Sequence, residues 1–201
     1  ILSGTADFSK LYKIVSCWVL TPIGGIIFAY ILHRVIGFIL NKTVTSMTGR
    51  SFVYFSGIII SGCYAAYSLG ANSVANVTGV YVGAGLLTDK EAALIGGLSI
   101  AVGVLTYSKK VMMTIGKDIV PLDPFSAFIV VLAEAITLHI FTQIGVPISS
   151  SQAAVGAVVG VGLVGGMRTL SSRMLMKIAG GWLMTPVSAG VLTCLLIMLL
   201  T

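Results

Sequence analysis

Charged residues are scarce in this 201-residue sequence: they make up 9% of it, against 57% hydrophobic residues. Soluble domains carry about 25% charged residues, which they need in order to form a surface that faces water. The mean hydropathy of +1.06 is correspondingly high. The composition therefore excludes an ordinary water-soluble domain. It predicts a multi-pass protein with the lipid bilayer as its main solvent, and the cell (plasma) membrane is the expected location.

Cysteine and histidine are also scarce, with three residues and two residues respectively. Cys17, Cys63 and Cys194 each lie inside an apolar run, where a free cysteine behaves as a small apolar side chain. The sequence has no metal-ligand spacing, no Gly-x-Ser-x-Gly and no Lys-containing phosphate loop. We therefore expect no enzyme, no cofactor, and no metal other than a sodium ion at the sites considered below.

Basic residues outnumber acidic ones, 12 to 6, and most of them fall in the breaks between apolar runs. This distribution is typical of loops and lipid headgroup contacts, so nucleic acid is not an expected partner. Short apolar segments leave the number of membrane crossings open, and the sequence therefore does not fix the orientation. The first residues lack the basic start and cleavage site of a signal peptide.

Apolar runs are what the sequence has in abundance. Six of them cover residues 13–39, 52–69, 74–88, 92–107, 125–144 and 152–200. The last run is long enough for two helices, separated by the polar stretch 168–173. A helix needs about 20 residues to span the bilayer, so 74–88 and 152–167 are too short to cross alone. The predicted fold class is all-α, a polytopic helical bundle with discontinuous, broken or re-entrant helices.

Two segments of the chain repeat each other. Residues 13–32 and 177–196 share the pattern K-I-x-x-x-W-x-x-T-P, which contains both tryptophans. Repeats of this kind mark secondary transporters whose two halves enclose the substrate. We expect 1–50 to hold the last helix of a first repeat and a connecting loop, and 51–201 to hold the second repeat. The remainder of the first half would be a missing N-terminal part of the same protein.

A polar cluster, GANSVANVTG at 70–79, interrupts a hydrophobic stretch. Its asparagine, serine and threonine side chains need partners at membrane depth. Asparagine oxygens and unwound backbone carbonyls are hard ligands that suit a small cation such as sodium. The alternatives are a hydrogen-bonded contact between helices or a plain loop.

A second polar cluster, GVPISSSQ at 145–152, follows an apolar run. Pro147 ends the preceding helix, and Ser149 to Gln152 fits the S-x-x-Q capping box that starts a new one. A helix N-terminus offers free N–H groups and the positive end of a dipole. Together with three hydroxyls, these groups form an oxyanion site without a basic side chain in the membrane. The alternative is an ordinary capped helix.

Glu134 lies in the middle of an apolar helix, where an ionisable residue is a functional candidate. It could accept a coupling proton or hold a cation, or it could be satisfied by neighbouring polar groups. His139 lies about 140° further round that helix and shares no face with Glu134, so we expect a structural role for it. Asp118 and Asp123 are expected to be solvated loop charges.

These motifs resemble those of the inorganic phosphate transporter family. GANSVAN at 70–76 is similar to the family signature G-A-N-D-V-A-N, and PISSSQ at 147–152 is similar to P-V-S-T-T-H in the S-S-Q form of prokaryotic, especially archaeal, members. VMMTIGKD at 111–118 resembles the segment between them, and the two W-x-x-T-P helices resemble those that close each half. The resemblance covers nearly the whole chain, in the right order.

The resemblance implies symport of inorganic phosphate, coupled to Na⁺ or H⁺, by alternating access between two inverted halves. The candidate anion site consists of Ser73, Ser149, Ser150, Ser151 and Gln152. The candidate coupling-cation site consists of Asn72, Asn76, Thr78 and Glu134. Expected partners are phosphate or sulfate, the bilayer, the missing N-terminal half and further copies in a homo-oligomer.

One departure from the family pattern concerns the substrate. Ser73 stands where the family has an aspartate, which removes a strong ligand for a hard cation and also reduces repulsion against a fully ionised anion. A sulfate permease of the same family is therefore an alternative function. A passive anion channel and a non-transporting membrane scaffold are the others. Gln152 stands where the family has histidine, which removes a titratable group.

Overall fold

Residues 8–113, 119–166 and 171–200 are described by the computed structural model, and secondary structure within them is helical throughout. The helices are α1 (Phe8–Thr43), α2 (Met47–Leu69), a π-helical turn (Gly70–Val74), α3 (Ala75–Gly83), α4 (Asp89–Met113), α5 (Pro124–Gln143), α6 (Ser150–Gly165) and α7 (Ser172–Leu200). The predicted all-α fold is confirmed. Asp118 and parts of the segments 111–118 and 168–173 lie outside the described residues.

Five of the described helical stretches are long and apolar enough to cross a membrane. The longest, Met47–Gly83, joins α2, the π-helical turn and α3 in one continuous stretch of 37 residues. By contrast, α6 has 16 residues. At 1.5 Å per residue it is about 24 Å long, short of the ~30 Å hydrocarbon core. This length agrees with the expectation that the run 152–167 is too short to cross alone.

The first polar cluster does not interrupt its helix, although the sequence indicated a break there. Gly70 keeps right-handed helical dihedral angles (φ −58°, ψ −51°), and its N–H contacts the carbonyls of Ala66 and Tyr67. A wide π-helical turn keeps the backbone hydrogen-bonded, which the absence of water in a bilayer demands. The run 74–88 is therefore mostly the far end of a long helix and not a separate short segment.

The second polar cluster does break the chain, as Pro147 predicted. α5 ends at Gln143, and Gly145 takes a left-handed conformation (φ +73°). The chain then runs without helical structure to Ser149, after which α6 begins.

α1 and α6 touch each other through their backbones. A Cβ atom on Gly25 would lie 2.6 Å from the carbonyl oxygen of Ala153. One on Gly156 would collide with the Pro22 carbonyl, and one on Gly160 with that of Ile26. Because contacts at 22 and 26 pair with 156 and 160 in the same order, the two helices run parallel. The small-xxx-small spacing of α6 is what allows this approach.

α5 completes the packed core between α1 and α2. It runs antiparallel to α1, since Gly24 faces Thr137 while His33 approaches Ser126. Buried apolar residues of α1, α5 and α6, among them Ala29, Ile129 and Val158, form one cluster. The boundary predicted at residue 50 falls inside the first turn of α2, and the assignment of 1–50 to a first repeat stays a prediction.

α4 and α7 lie at the periphery. α4 packs on the π-helical turn and α3, where a Cβ on Gly96 would lie 2.6 Å from Cγ1 of Val74. α7 contacts the core through Met174, Leu175, Ile178 and Trp182. Every described side chain from 183 to 199 is exposed. Both helices therefore present apolar surface to lipid or to further protein.

Candidate functional site

Asn72 joins the two polar motifs. Its side chain is 4% exposed, and its Nδ2 donates a hydrogen bond of 2.9 Å to the carbonyl oxygen of Ile148. The N–H of Ile148 donates in return to Oδ1 of Asn72 over 3.4 Å. The amide thus pairs with both backbone polar groups of one residue in the non-helical segment before α6, where helical partners are lacking. We call this reciprocal pair the Asn72–Ile148 bridge.

The π-helical turn directs the neighbouring side chains to different places. Asn72 and Asn76 line a cavity of about 210 Å³ that Thr142 and Pro147 close on the side of the second motif. Ser73 instead lines a cavity of about 440 Å³ between α3 and α4. The structure therefore does not bring Ser73 to the serines of the second motif.

The exposed Asn76 has no hydrogen-bond partner among the described residues, so its amide oxygen is open to a ligand. Thr142, across the same cavity, donates its hydroxyl to the carbonyl of Leu138 over 2.7 Å. Its oxygen retains lone pairs for a cation. The cavity therefore offers neutral oxygen ligands, including Oδ1 of Asn72, without a carboxylate among its lining residues.

The start of α6 is confirmed, but the predicted capping box does not form. Ser149 occupies the N-cap position (φ −85°, ψ 117°), yet its side chain makes no capping hydrogen bond. Its Oγ lies 2.9 Å from Oγ of Ser151 instead. Gln152 turns inward, 5% exposed, and its Oε1 has no hydrogen-bond partner in the described part of the chain. The first N–H groups of α6 therefore remain available to an anion.

Thr78 and Glu134 occupy different surroundings. Thr78 is 7% exposed, lines the cavities between α3 and α4, and donates its hydroxyl to the carbonyl of Val74 over 2.8 Å. Glu134 is half-buried and has neither a hydrogen bond nor an ion pair with any described residue. It shares a face of α5 with Leu138, one turn away, which packs against Ile148. Thr78 thus lies on the side of α4, and for Glu134 the link to the second motif runs through Leu138.

Two features of this region had no local sequence signal. The backbone of Ile148 is a partner of the first motif across 76 residues, which no short pattern reveals. Ser68 is 1% exposed and its Oγ lacks a partner among the described residues. His139, expected to be structural, stacks near Tyr64 and Tyr67 at ring distances of 5.7 and 6.0 Å.

The sequence profile of the phosphate transporter family matches residues 2–193. The chain belongs to this family. Membership of the phosphate transporter family confirms the resemblance seen in the motifs and places the chain among transport proteins, not enzymes. Together with the five apolar helices, it makes the chain a multi-pass protein of the cell membrane.

Individual relatives agree with the family assignment. A Methanocaldococcus jannaschii protein that carries the name phosphate permease is 32% identical over 187 residues, which cover 90% of this chain and 59% of that protein. The human sodium-dependent phosphate transporter 1 is 34% identical over 146 residues, covering 67% of this chain and 22% of that protein. The chain thus spans well under two thirds of the length of either relative.

A solved structure of a sodium-dependent phosphate transporter has the same fold. It superposes with a TM-score of 0.69 at 23% identity, covering 88% of this chain and 63% of that one. The predicted helical membrane architecture is confirmed by this likeness.

Proposed function

We propose that the protein to which this chain belongs carries inorganic phosphate across the cell membrane by cation-coupled symport. The observation that carries the proposal is the uncapped N-terminus of the short helix α6, held by the Asn72–Ile148 bridge to a motif of neutral oxygen ligands. Family membership and the names of the relatives support phosphate as the substrate.

The anion would bind at the first turn of α6. Free N–H groups and the positive end of the helix dipole favour an oxyanion there. The hydroxyls of Ser149, Ser150 and Ser151 supply further donors next to these N–H groups. Buried Gln152 adds an amide at the same turn. Neutral donors are suited to transport because they hold an anion without fixing it by a buried opposite charge.

The cation would bind beside the 210 Å³ cavity of Asn72 and Asn76. Asn72 contacts this cavity and the backbone of Ile148 at once, so a cation on its Oδ1 would pull on the segment that positions Ser149. Glu134 would supply the proton acceptor if H⁺ replaces Na⁺. In either case the cation neutralises part of the anion charge, which lowers the cost of holding both at membrane depth.

A sulfate permease is the second candidate function. Serine at position 73 favours it, because the aspartate of the family pattern would repel a fully ionised anion. The distance of Ser73 from the second motif weakens this argument, since Ser73 lines a cavity on the side of α4.

Uptake of radiolabelled phosphate by the complete protein in liposomes tests both candidates. Saturable uptake that an inward sodium gradient stimulates and that excess sulfate leaves unchanged would support the phosphate symporter. Suppression by sulfate would support the permease. Non-saturating flux that is indifferent to Na⁺ and H⁺ gradients would indicate a passive channel, and absence of flux a scaffold.

The variant Ser150→Ala tests the assigned anion site. A hydrogen bond to a charged group contributes about 1.5–3 kcal/mol, so uptake at low phosphate should fall about tenfold or more. Ser172→Ala is the matched control, because Ser172 is likewise the first residue of its helix but is exposed on α7. Equal uptake by both variants would contradict the assignment of Ser150.

A further inference from the structure

A second polar cavity lies far from the two motifs, at the other end of α1. It has a volume of about 380 Å³, and α1, α2, α5 and α6 all contribute to its lining. Its polar lining residues are His33, Arg34, Asn41 and Tyr54, and Phe38 and Phe125 are among the apolar ones. Neither the transport site nor the family motifs account for this group of side chains.

The polar side chains are positioned by aromatic and hydroxyl neighbours. Nε2 of His33 lies 3.4 Å from Oγ of Ser126, and its ring centroid lies 4.9 Å from that of Phe125. The guanidinium of Arg34 lies 5.4 Å from the ring centroid of Tyr30, where a cation–π contact holds it. Among the described residues, Arg34 and Asn41 have no hydrogen-bond partner, so their N–H groups are open to a ligand.

The helix directions show which helix ends lie together at the end of the bundle that holds this cavity. α1 and α6 end, and α2, α5 and α7 begin, at the end of the bundle that holds the cavity, here termed the basic end. Described basic residues at this end are Arg34, Lys42, Arg50, Lys109, Lys110, Arg173 and Lys177. At the opposite end the described charged side chains are those of Asp89, Lys90 and Glu91, and the sequence also places Lys10 and Lys13 there, whose side chains are not described.

Within the described part of the chain, Asp123 is the acidic residue at the basic end. Its Oδ2 accepts the N–H of Phe125 over 3.2 Å, which caps α5. An excess of Lys and Arg near the ends of membrane helices marks the cytoplasmic side. By this rule the basic end would face the cytoplasm, and its leaflet would be the one rich in anionic lipid.

We propose that this cavity binds the phosphate group of an anionic phospholipid from the leaflet at the basic end. His33, Arg34, Asn41 and Tyr54 supply donors for the phosphodiester oxygens. Phe38, which is 70% exposed, and Val164 offer apolar contacts for the glycerol and the first methylene groups of the chains. Basic pockets between membrane helices on the cytoplasmic side bind lipid head groups in this way.

A phospholipid fits this cavity better than free inorganic phosphate. The walls combine donors with aromatic and aliphatic side chains, and an inorganic ion has no group to place against the latter. The bound lipid would contact four helices at once, and its loss would loosen the end of the bundle at which α1 and α6 are packed. The site thereby links the lipid composition of the membrane to the stability of the transporter.

The test measures lipid retention by the complete protein, stripped of lipid in mild detergent. Native mass spectrometry and thermal unfolding are recorded with phosphatidylglycerol, phosphatidylcholine or inorganic phosphate added. We expect phosphatidylglycerol alone to remain bound and to raise the Tm. Arg34→Gln should weaken its binding about fivefold, the effect of one basic residue near the membrane surface.

Gly37→Met provides a second, charge-neutral variant. A Cβ at Gly37 would lie 3.5 Å from the Phe125 ring, an ordinary contact, so the added side chain fills the cavity without a clash at its base. We expect it to abolish retention of phosphatidylglycerol. Arg173→Gln is the control, because it removes a basic residue from the same end of the bundle, outside the cavity, and should leave retention unchanged.

Three results would overturn the proposal. Retention of phosphatidylglycerol that both Arg34→Gln and Gly37→Met leave intact would place the lipid elsewhere. Equal retention of phosphatidylcholine would show that the site does not distinguish an anionic head group from a zwitterionic one. Displacement of the lipid by inorganic phosphate, with the same rise in Tm, would assign the cavity to the free ion.

Discussion

The helices α1 and α7 carry the same sequence pattern and the same local structure, but they differ in surroundings. In α1, the hydroxyl of Thr21 donates to the carbonyl of Cys17 over 2.6 Å. In α7, that of Thr185 donates to Gly181 over 2.8 Å. A proline follows each threonine inside a continuous helix. The pattern therefore specifies the backbone and side-chain geometry of the helix wherever it occurs.

Burial separates the two copies. Thr21 is fully buried, and the face of α1 that holds Gly25 lies against α6. The equivalent stretch of α7, including Thr185 and Gly190, is exposed, and a Cβ on Gly190 would meet no atom within 4 Å. The difference shows that burial of the repeated pattern depends on a neighbouring helix with small residues, which for α1 is α6.

Substitution of glycine by alanine gives the largest expected contrast between the copies. Gly25→Ala would place a methyl group 2.6 Å from the Ala153 carbonyl, and backbone atoms cannot move aside as a side chain can. We expect a loss of about 3 kcal/mol, at the upper end of overpacking effects, seen as a lower Tm in detergent.

Gly190→Ala is the control on α7, one position beyond Ala189, the residue that corresponds to Gly25 in the repeat. It adds the same methyl group in open space and removes a helical glycine, so stability should stay unchanged or rise by about 1 kcal/mol or less. Equal destabilisation by both substitutions would mean that α7 has a close partner at this face in the complete protein.

The two asparagines of the first motif differ in burial in the same way, since Asn72 is buried and Asn76 is exposed. Asn72→Ala would leave the buried N–H and carbonyl of Ile148 unpaired, at an expected cost of about 2 kcal/mol in the free energy of unfolding. Asn76→Ala removes an exposed side chain and should cost about 0.5 kcal/mol or less.

Uptake measurements test whether Asn76 binds the cation, which the stability comparison does not. If Asn76 is a cation ligand, Asn76→Ala should raise the sodium concentration for half-maximal uptake while the Tm stays at its original value. A sodium dependence that Asn76→Ala leaves untouched would remove this residue from the proposed cation site.

Removal of the repeated threonine hydroxyl gives the smallest expected effect. Thr21→Val keeps the side-chain volume and deletes a buried hydrogen bond, so we expect a loss of about 1 kcal/mol. Thr185→Val deletes the same bond on an exposed face and should change stability by about 0.5 kcal/mol or less. Thermal unfolding of the two variants side by side checks this pair, and a larger loss for Thr185→Val would contradict the ranking.

The sequence predicted features that local chemistry specifies. Composition predicted a membrane bundle, and Pro147 predicted the break before α6. Each of these depends on backbone freedom or side-chain size within a few residues, which a single sequence displays. The position of α6 on α1 was not predicted, because it depends on which small faces meet.

The sequence did not predict the contacts between distant segments. The polar cluster at 70–79 indicated a break, but the helix winds through it as a π-helical turn whose hydrogen bonds no composition signals. Ser149 and Gln152 fit a capping box, yet tertiary packing turns Gln152 inward. Asn72 was considered as a cation ligand, and its pairing with Ile148 across 76 residues emerges only in three dimensions.

The backbone contact of α1 with α6 has a mechanical consequence. With no side chain between Gly156 and Pro22, or between Gly160 and Ile26, neither helix can slide or roll on the other without parting the two backbones. The pair therefore moves as one rigid unit, with the proposed anion-binding turn at one end and the proposed lipid cavity at the other. If the proposed transport site opens by a rocking motion, α1 must move together with α6, and the hinge must lie in the loops outside this pair.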